Sequence, residues 1–272
     1  MIKKYYWAIA LLLVTQLSCA AVYQWTDAQG RKHYSDKPHE LAAVLQLAKS
    51  YSYYAVKKVY DGDTVQLRDG RKIRLLGINT PEIEHPNQAE QAGGEAAKKW
   101  LTKALMGKKI HLEFDQEKQD KYQRYLAHIF TEQDLHINRE LVRLGFASVN
   151  VFPPNLKYVP ELAQAEQDAE ASKLGIWSYS EYRVKSAQQL TKKNKKGWQR
   201  VSGTVSAVKV TSKSVYLKLT DTFDVRIKKE HLRYFDDVQR LKGQKIEVRG
   251  WVNRYKKGYM MLVKHPSALR EL

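Results

Sequence analysis

Twice along this 272-residue chain the alternation of apolar and polar residues runs through three strands, one helix and two further strands. The first pass begins with "YYAVKKVYDGDTVQLRDGRKIRLLGI" (53–78), where Asp69-Gly70 marks a hairpin turn. A helix is expected over about Ala92–Met106, with Ala96, Trp100, Leu101, Ala104 and Leu105 at helical spacing and Gly107 where the chain leaves it. "KKIHLEF" and "YLAHIF" supply the last two strands. The second pass reads "WQRVSGTVSAVKV", "SVYLKLTD", "FDVRIKK", a short helix near "HLRYFDDVQRL", then "KIEVRGWV" and "GYMMLVKHP".

Five strands with a helix after the third is the order of a five-stranded Greek-key barrel of the OB type. The expected fold class is therefore mainly β with α (α+β). The first OB-type barrel carries three helices and a second, smaller OB-type barrel follows it. The two extra helices lie after the first barrel's last strand. One is capped by Asn138, carries an Ile137–Val142 hydrophobic staple and ends at Gly145. The other starts near Pro160 and closes at Gly175.

The ends and the joints differ in composition. Lys3 and Lys4 precede "WAIALLLV", an apolar run far shorter than the ~20 residues that span a bilayer, and Ser18-Cys19-Ala20-Ala21 offers small residues for cleavage. That reads as a signal peptide over 1–21, giving a periplasmic or secreted protein with no stable membrane span. Cys19 is the single cysteine, so cleavage after Ala20 or Ala21 removes it; lipid anchoring at Cys19 is the alternative. "VYQW" and "KHYS" frame a hairpin turning at Ala28-Gln29-Gly30, and residues 39–52 read as a short helix or linker. Its W-x-D…G…HYSD layout resembles a short domain of unknown function found behind signal peptides in bacterial envelope proteins. Domains are thus expected at 22–52, 53–178 and 197–272, with a lysine-rich linker at 179–196.

Lys plus Arg outnumber Asp plus Glu by 47 to 29, a net charge of +18 that favours a polyanionic partner: nucleic acid, an anionic membrane surface or an acidic glycan. No G-x-S-x-G, P-loop or cysteine cluster competes for a catalytic role, and the eight histidines are scattered. What stands out is "VYDGDTVQLRDGRKIRLLGINTPE" (59–82). Phosphodiester hydrolysis needs charge neutralisation, a positioned water and a clamp on the phosphorus. Asp63, the amide oxygen of Asn79 and the backbone carbonyl of Thr80 are candidate oxygen ligands for a hard cation, with Asp61 supporting the loop or a bound water. The same aspartates would equally serve a polar β-turn, and Asn79 would equally cap a turn. Glu82, held on a stiff turn after Pro81, is the candidate general base. Arg74, between Ile73 and Leu75, points away from their face and, with Arg124, is the candidate phosphate clamp.

The blocks "DGDTV", "IRLLGINTPE", "GGEAAKKWL", "DKYQRYLAHIF", "NRELVRLGFA" and "LGIW" occur in the order and spacing of the thermonuclease, or staphylococcal-nuclease-like, family, which residues 54–178 resemble. The resemblance implies an endonuclease indifferent to the sugar, acting on DNA and RNA as a monomer, with calcium as the metal and 3′-phosphate ends as product. It also implies that Lys121 and Tyr122 lie along the bound nucleotide's phosphate and that Phe152 stacks on a base; an aromatic at 152 would equally pack in a core. Asn79 stands where the family's commonest pattern has aspartate. One anionic ligand fewer weakens divalent-cation affinity, so another divalent cation is open. The second barrel lacks "DGDT" and "TPE" and is expected to be an accessory binder, its Tyr255-Lys256-Lys257-Gly258 loop gripping nucleic acid or simply turning a hairpin. A non-catalytic nucleic-acid-binding envelope protein on the same fold is the competing reading.

Overall fold

The computed structural model describes residues 22–40, 43–45, 51–84, 90–190, 197–255 and 258–272. The expected signal peptide, with Cys19, lies outside the described residues, as do 191–196 and Lys256–Lys257. The chain divides into two compact units, Met1–Tyr51 and Ser52–Leu272.

The first unit is a three-stranded sheet. β1 (Val22–Thr26) pairs with β2 (Lys32–Ser35) as the hairpin pattern predicts, Trp25 opposite His33. Trp25 stacks between two imidazoles, with ring centroids 5.2 Å from His33 and 4.4 Å from His39. Where a helix or linker was expected at 39–52, β3 (Ala43–Leu45) adds to the other edge of β1. An unpaired edge is a row of open backbone donors and acceptors, and closing it outweighs local propensity.

The second unit holds both barrels. β4 (Tyr54–Val59), β5 (Thr64–Leu67) and β6 (Lys72–Leu75) form a meander; after β7 (Ile78–Asn79) and α1 (Gly94–Leu105) come β8 (Lys109–Gln119) and β9 (Tyr125–Thr131). The strands close in the order β4-β5-β6-β9-β8, with β6 and β9 parallel. Val65, Leu67, Ile73, Leu75, Ile110 and Ile129 are fully enclosed inside it. Each such side chain contributes about 1.5–3 kcal/mol of burial. Helix α1 turns Ala97, Leu101 and Leu105 inward, a stripe at i, i+4 and i+8. Ala96, expected on that stripe, faces solvent instead. As expected, Gly107 leaves the helix with a φ of +75°.

Helix α2 (Ile137–Arg143) is capped at His136, two residues earlier than predicted. Asn138 is not a cap but a fully buried helical residue. Its Nδ2 donates to the Leu76 carbonyl at 2.9 Å, and its Oδ1 accepts from the Ile129 amide at 3.0 Å. Ile137 and Val142, read as a staple, are both core residues of the helix. β10 (Ser148–Val149) pairs with β7, and α3 (Val159–Ala171) stops four residues short of Gly175, which opens a 3₁₀ turn.

Part of the expected linker is structured: β11 (Val184–Ser186) lies parallel to β12 (Trp198–Thr204). The "WQRVSGTVSAVKV" segment bends into β12 and β13 (Ala207–Val210); β14 (Ser214–Thr220), β15 (Phe223–Lys228), β16 (Lys245–Tyr255), β17 (Gly258–Val263) and β18 (Leu269–Glu271) follow. β13 pairs with β14 and β12 with β16, so the two halves of the bent strand join the ends of a β14-β15-β17-β16 sheet. β15 and β17 are parallel, as β6 and β9 are in the first barrel. In place of the expected helix stand two 3₁₀ turns, Lys229–Tyr234 and Val238–Leu241. A second core forms around Val201, Leu217, Phe223, Val225, Ile246 and Val248.

An ionic network joins the barrels. From α3, Glu166 pairs with Arg249 at 2.5 Å and Glu170 with Arg270 at 2.9 Å and with Arg200; from β16, Glu247 takes Arg200 at 2.8 Å and Arg270 at 2.6 Å. Trp177 lies beside it, 6.4 Å from Trp198, and the Arg200 guanidinium sits 5.3 Å over the Trp177 ring. Buried charges are tolerated only when paired, and every arginine here has a carboxylate.

Candidate active site

Alternation along β6 sends Ile73 and Leu75 into the barrel and Arg74 out of it, as the sequence pattern requires. The tight turn before β5 brings Asp63 to the same place. Arg74 Nη2 lies 2.9 Å from Asp63 Oδ2 and 3.4 Å from Asn79 Oδ1, while Nη1 donates to the Leu75 carbonyl at 2.6 Å. The Asp63 carboxylate is buried, and its Oδ2 also accepts the Thr80 amide at 3.0 Å. Asp61 Oδ1 accepts the Asp63 amide at 2.9 Å within the loop.

Gly62 makes this packing possible. A Cβ there would sit 2.7 Å from the Cβ atoms of both Ala97 and Thr80, so the loop, α1 and the Thr80 segment touch only because the side chain is missing. Glu82 is set by a similar device. Gln91 grips its backbone from both sides, with Oε1 accepting the Glu82 amide at 3.2 Å and its own amide donating to the Glu82 carbonyl at 2.9 Å. A Cβ on Gly94 would meet that same carbonyl oxygen at 2.6 Å. This explains the second glycine of "GGEAAKKWL", whose role sequence reasoning did not assign; Gln91 and Gly62 were missed as well.

The charges at this corner are mutually felt. Burial pushes the Asp61 carboxyl up to about 6, and the neighbouring Asp63 and Glu82 charges push in the same direction against Arg74. The donors proposed for a cation are all oxygens: the Asp63 carboxylate, the Asn79 amide and the Thr80 carbonyl. Such a set suits a hard divalent ion, and the negative charge crowding Asp61 is what one would relieve. These donors also meet one another: Asn79 Nδ2 donates to the Thr80 carbonyl at 3.0 Å and its Oδ1 accepts from Arg74. Among the described residues no cluster of three or more His, Cys, Asp or Glu could hold a metal ion.

Arg124 is not joined to this cluster by a hydrogen bond or ion pair among the described residues. Its Nε and Nη2 reach Asp120 Oδ2 at 2.8 and 2.7 Å, within an Asx turn whose Oδ1 accepts the Tyr122 and Arg124 amides. It nevertheless enters the strand beside Arg74: Arg74 is opposite Leu126 on β9, and Arg124 stands two residues before Leu126, just ahead of the strand. Lys121 and Tyr122 occupy the same β8–β9 turn. The Tyr122 ring is 68% exposed, with the Lys121 amine 4.9 Å and the Arg124 guanidinium 5.6 Å from its centroid. Phe152, for which core packing was an alternative, is 51% exposed instead, with the Lys264 amine 3.9 Å over its ring.

Residues 72–179 match the family model "Staphylococcal nuclease homologue". The thermonuclease of Staphylococcus intermedius is 39% identical over 127 residues, 46% of this chain and 75% of that one. This chain belongs to the staphylococcal nuclease family. Other relatives include endonuclease YncB of Bacillus subtilis, 37% identical over 130 residues (46% of this chain, 61% of that one). An uncharacterised protein of Methanocaldococcus jannaschii, MJ1439, is 31% identical over 196 residues, covering 63% of this chain and 93% of its own. Residues 9–65 match a domain of unknown function, DUF4124, in line with the layout around Trp25. The staphylococcal nuclease match covers the corner just described from β6 onward, and the OB-type barrel is that family's fold.

Proposed function

We propose that this chain is a divalent-cation-dependent nuclease that cuts DNA and RNA without regard to the sugar and leaves 3′-phosphate ends. The observation that carries the proposal is the convergence of Arg74, Asp63 and Asn79, with Glu82 close enough to be felt at Asp61, on one outward corner of the first barrel. The thermonuclease and endonuclease names of its relatives support the same class.

Calcium, or another divalent ion given Asn79, would neutralise phosphate charge when held by Asp63, Asn79 and Thr80. The chain's own groups do the rest. Glu82, fixed at its backbone by Gln91, orients the attacking water and takes its proton, help typically worth ~10²–10⁴-fold. Arg74 offers fixed donors to the phosphoryl oxygens as charge grows on them. Arg124 adds a second guanidinium once its pairing with Asp120 yields to the substrate's phosphate. Attack in line with the 5′-oxygen expels it with a proton, and the phosphate stays on the 3′-oxygen. Tyr122 and Phe152, both exposed, are placed to stack on bases, a mode that tolerates any sequence. We also propose export, on the Lys3-Lys4 and "WAIALLLV" pattern.

Incubation of the purified protein with single-stranded DNA, duplex DNA and RNA, in calcium and in chelator, tests the proposal. Cleavage in calcium alone, with 3′-phosphate termini detected by phosphatase-dependent end extension, is expected. Binding without cleavage in calcium would overturn it in favour of a non-catalytic binder.

A further inference from the structure

The second barrel carries an outward face that the nuclease chemistry does not use. On β14, β15 and β17 the buried positions alternate with outward ones. Register lines up Lys209, Tyr216, Arg226 and Leu262 in one row across β13, β14, β15 and β17. Next along the sheet, Lys228 stands opposite Ser214, which is itself fully buried, with Lys264 one residue beyond the Ile227–Val263 pair. A cleft of about 450 Å³ opens on the first row, lined by Lys209, Tyr216, Lys218, Asp224, Tyr255 and Tyr259. In it Tyr216 and Tyr255 stack 6.2 Å apart at 21°, and the Arg226 guanidinium lies 5.9 Å over Tyr216.

The charges on this face are unevenly matched. Lys218 pairs with Asp224 at 3.4 Å and Lys228 with Glu230 at 3.0 Å, whereas Lys209, Arg226 and Lys264 make no ion pair among the described residues. Lys264 is half-buried against Phe152; burial first, then Lys228 and more weakly Lys121, hold its amine below the usual lysine range, while Glu230 pulls the other way. Like charges gathered around a partly buried amine are costly, and one carboxylate, Glu230, shared with Lys228, offsets them only in part. Arg226 and Lys228 stand two residues apart on one strand, about 7 Å, a separation suited to following successive phosphates.

We propose that this face of the second barrel binds a single strand of nucleic acid, with bases on Tyr216 and Tyr255 and phosphates on Arg226, Lys228 and Lys264, and passes it by Phe152 and Lys121 to the corner at Arg74. The binding stands on the second barrel alone; the delivery to Arg74 rests on the nuclease reading. Aromatic faces beside a basic groove are the means by which single strands are held without sequence preference. Lys264 is the joint, since from the residue just after β17 it touches Phe152 of the first domain.

The test uses the full chain in chelator and fluorescence anisotropy with labelled dT20 and rU20, at several salt concentrations. Lys228→Gln with Lys264→Gln is expected to weaken binding at least 10-fold and to flatten the log K against log salt slope by about 1.4, at ~0.7 per phosphate contact. Tyr216→Ala is expected to weaken it about 10-fold with the slope unchanged, as lost stacking requires. In calcium the same variants should raise KM for a 20-mer and leave kcat/KM unchanged on a dinucleotide too short to reach the second barrel. Circular dichroism confirms folding, and the more exposed Lys228→Gln alone should give about half the slope change. Parental affinity and slope in the lysine and tyrosine variants would overturn the proposal, as would a variant-insensitive preference for duplex DNA. A parent that binds dT20 through these residues but never cleaves would instead sink the nuclease reading and leave the binding face standing.

Discussion

Replacing Glu166 with glutamine should unsettle the joint between the barrels and separate it from the active corner. Glu166 is 3% exposed, and its two oxygens do different work. Oε2 holds Arg249 at 2.5 Å across the interface, while Oε1 accepts the Val149 amide at 2.7 Å. Val149 and Ser148 pair with Ile78 and Asn79, and Ser148 Oγ donates to the Asn79 carbonyl at 3.3 Å, so the same carboxylate also steadies a metal-ligand candidate. Glutamine keeps an acceptor for Val149 but leaves Arg249, 7% exposed, with only Glu170 at 4.0 Å. Removing one partner of a buried pair costs about 3–5 kcal/mol, and Glu170 pulls the figure to the lower end, about 3 kcal/mol. For a unit of this size that lowers Tm by roughly 6–12 °C. Calorimetry and guanidinium melts would read it. Adding Arg249→Met to Glu166→Gln should recover most of the loss, because the stranded charge is then gone. At 20 °C Glu166→Gln should cut at the parental rate, while Glu166→Leu, which takes the acceptor from Val149, should lower kcat. A Tm within 1–2 °C of the parent, or no recovery in the double variant, would refute this account of the joint.

Other perturbations act at single points. Arg74→Lys exchanges a planar donor fork for a point charge and should lower kcat by about 10²–10³-fold in single-turnover cleavage, with the circular dichroism spectrum retained. Glu82→Gln keeps the shape but cannot take a proton, so turnover should fall by ~10²–10⁴-fold under saturating calcium. Gly62→Ala drives a Cβ into Thr80 and Ala97, at a cost of about 1–3 kcal/mol in a denaturant melt and with weaker calcium dependence of cleavage. His128 and His136 lie 3.1 Å apart, and burial first, then the neighbouring His128 charge at His136, holds them down to about 4 and about 3. Below pH 6.5 the unfolded chain takes up protons that the folded pair refuses, so stability present above pH 6.5 is lost as pH falls toward 4. The loss is about 2 kcal/mol per ring at pH 5, and His136→Phe should remove roughly half of it in melts run across that range.

What the sequence determined by itself was local in nature. Alternation located the strands, and the period of α1 placed Leu101 and Leu105 inward. The apolar flanks of Arg74 decided its face, because side-chain direction follows from backbone geometry alone. The order of three strands, helix and two strands restricted the first barrel to few topologies, and the strand order did the same for the second although its helix is replaced by two 3₁₀ turns. Tertiary structure decided whatever depended on a partner far along the chain. Asn138 carries every local mark of a cap, yet it is buried because three backbone groups from β9 and the turn after β6 converge on it. Gly62 looks like turn punctuation until Thr80 and Ala97 close on it. Arg124's pairing with Asp120, the Glu166–Arg249 joint and the meeting of Lys264 with Phe152 are likewise invisible in one dimension. Periodicity records which way a side chain points, but the atoms that it meets are set only when the sheets close.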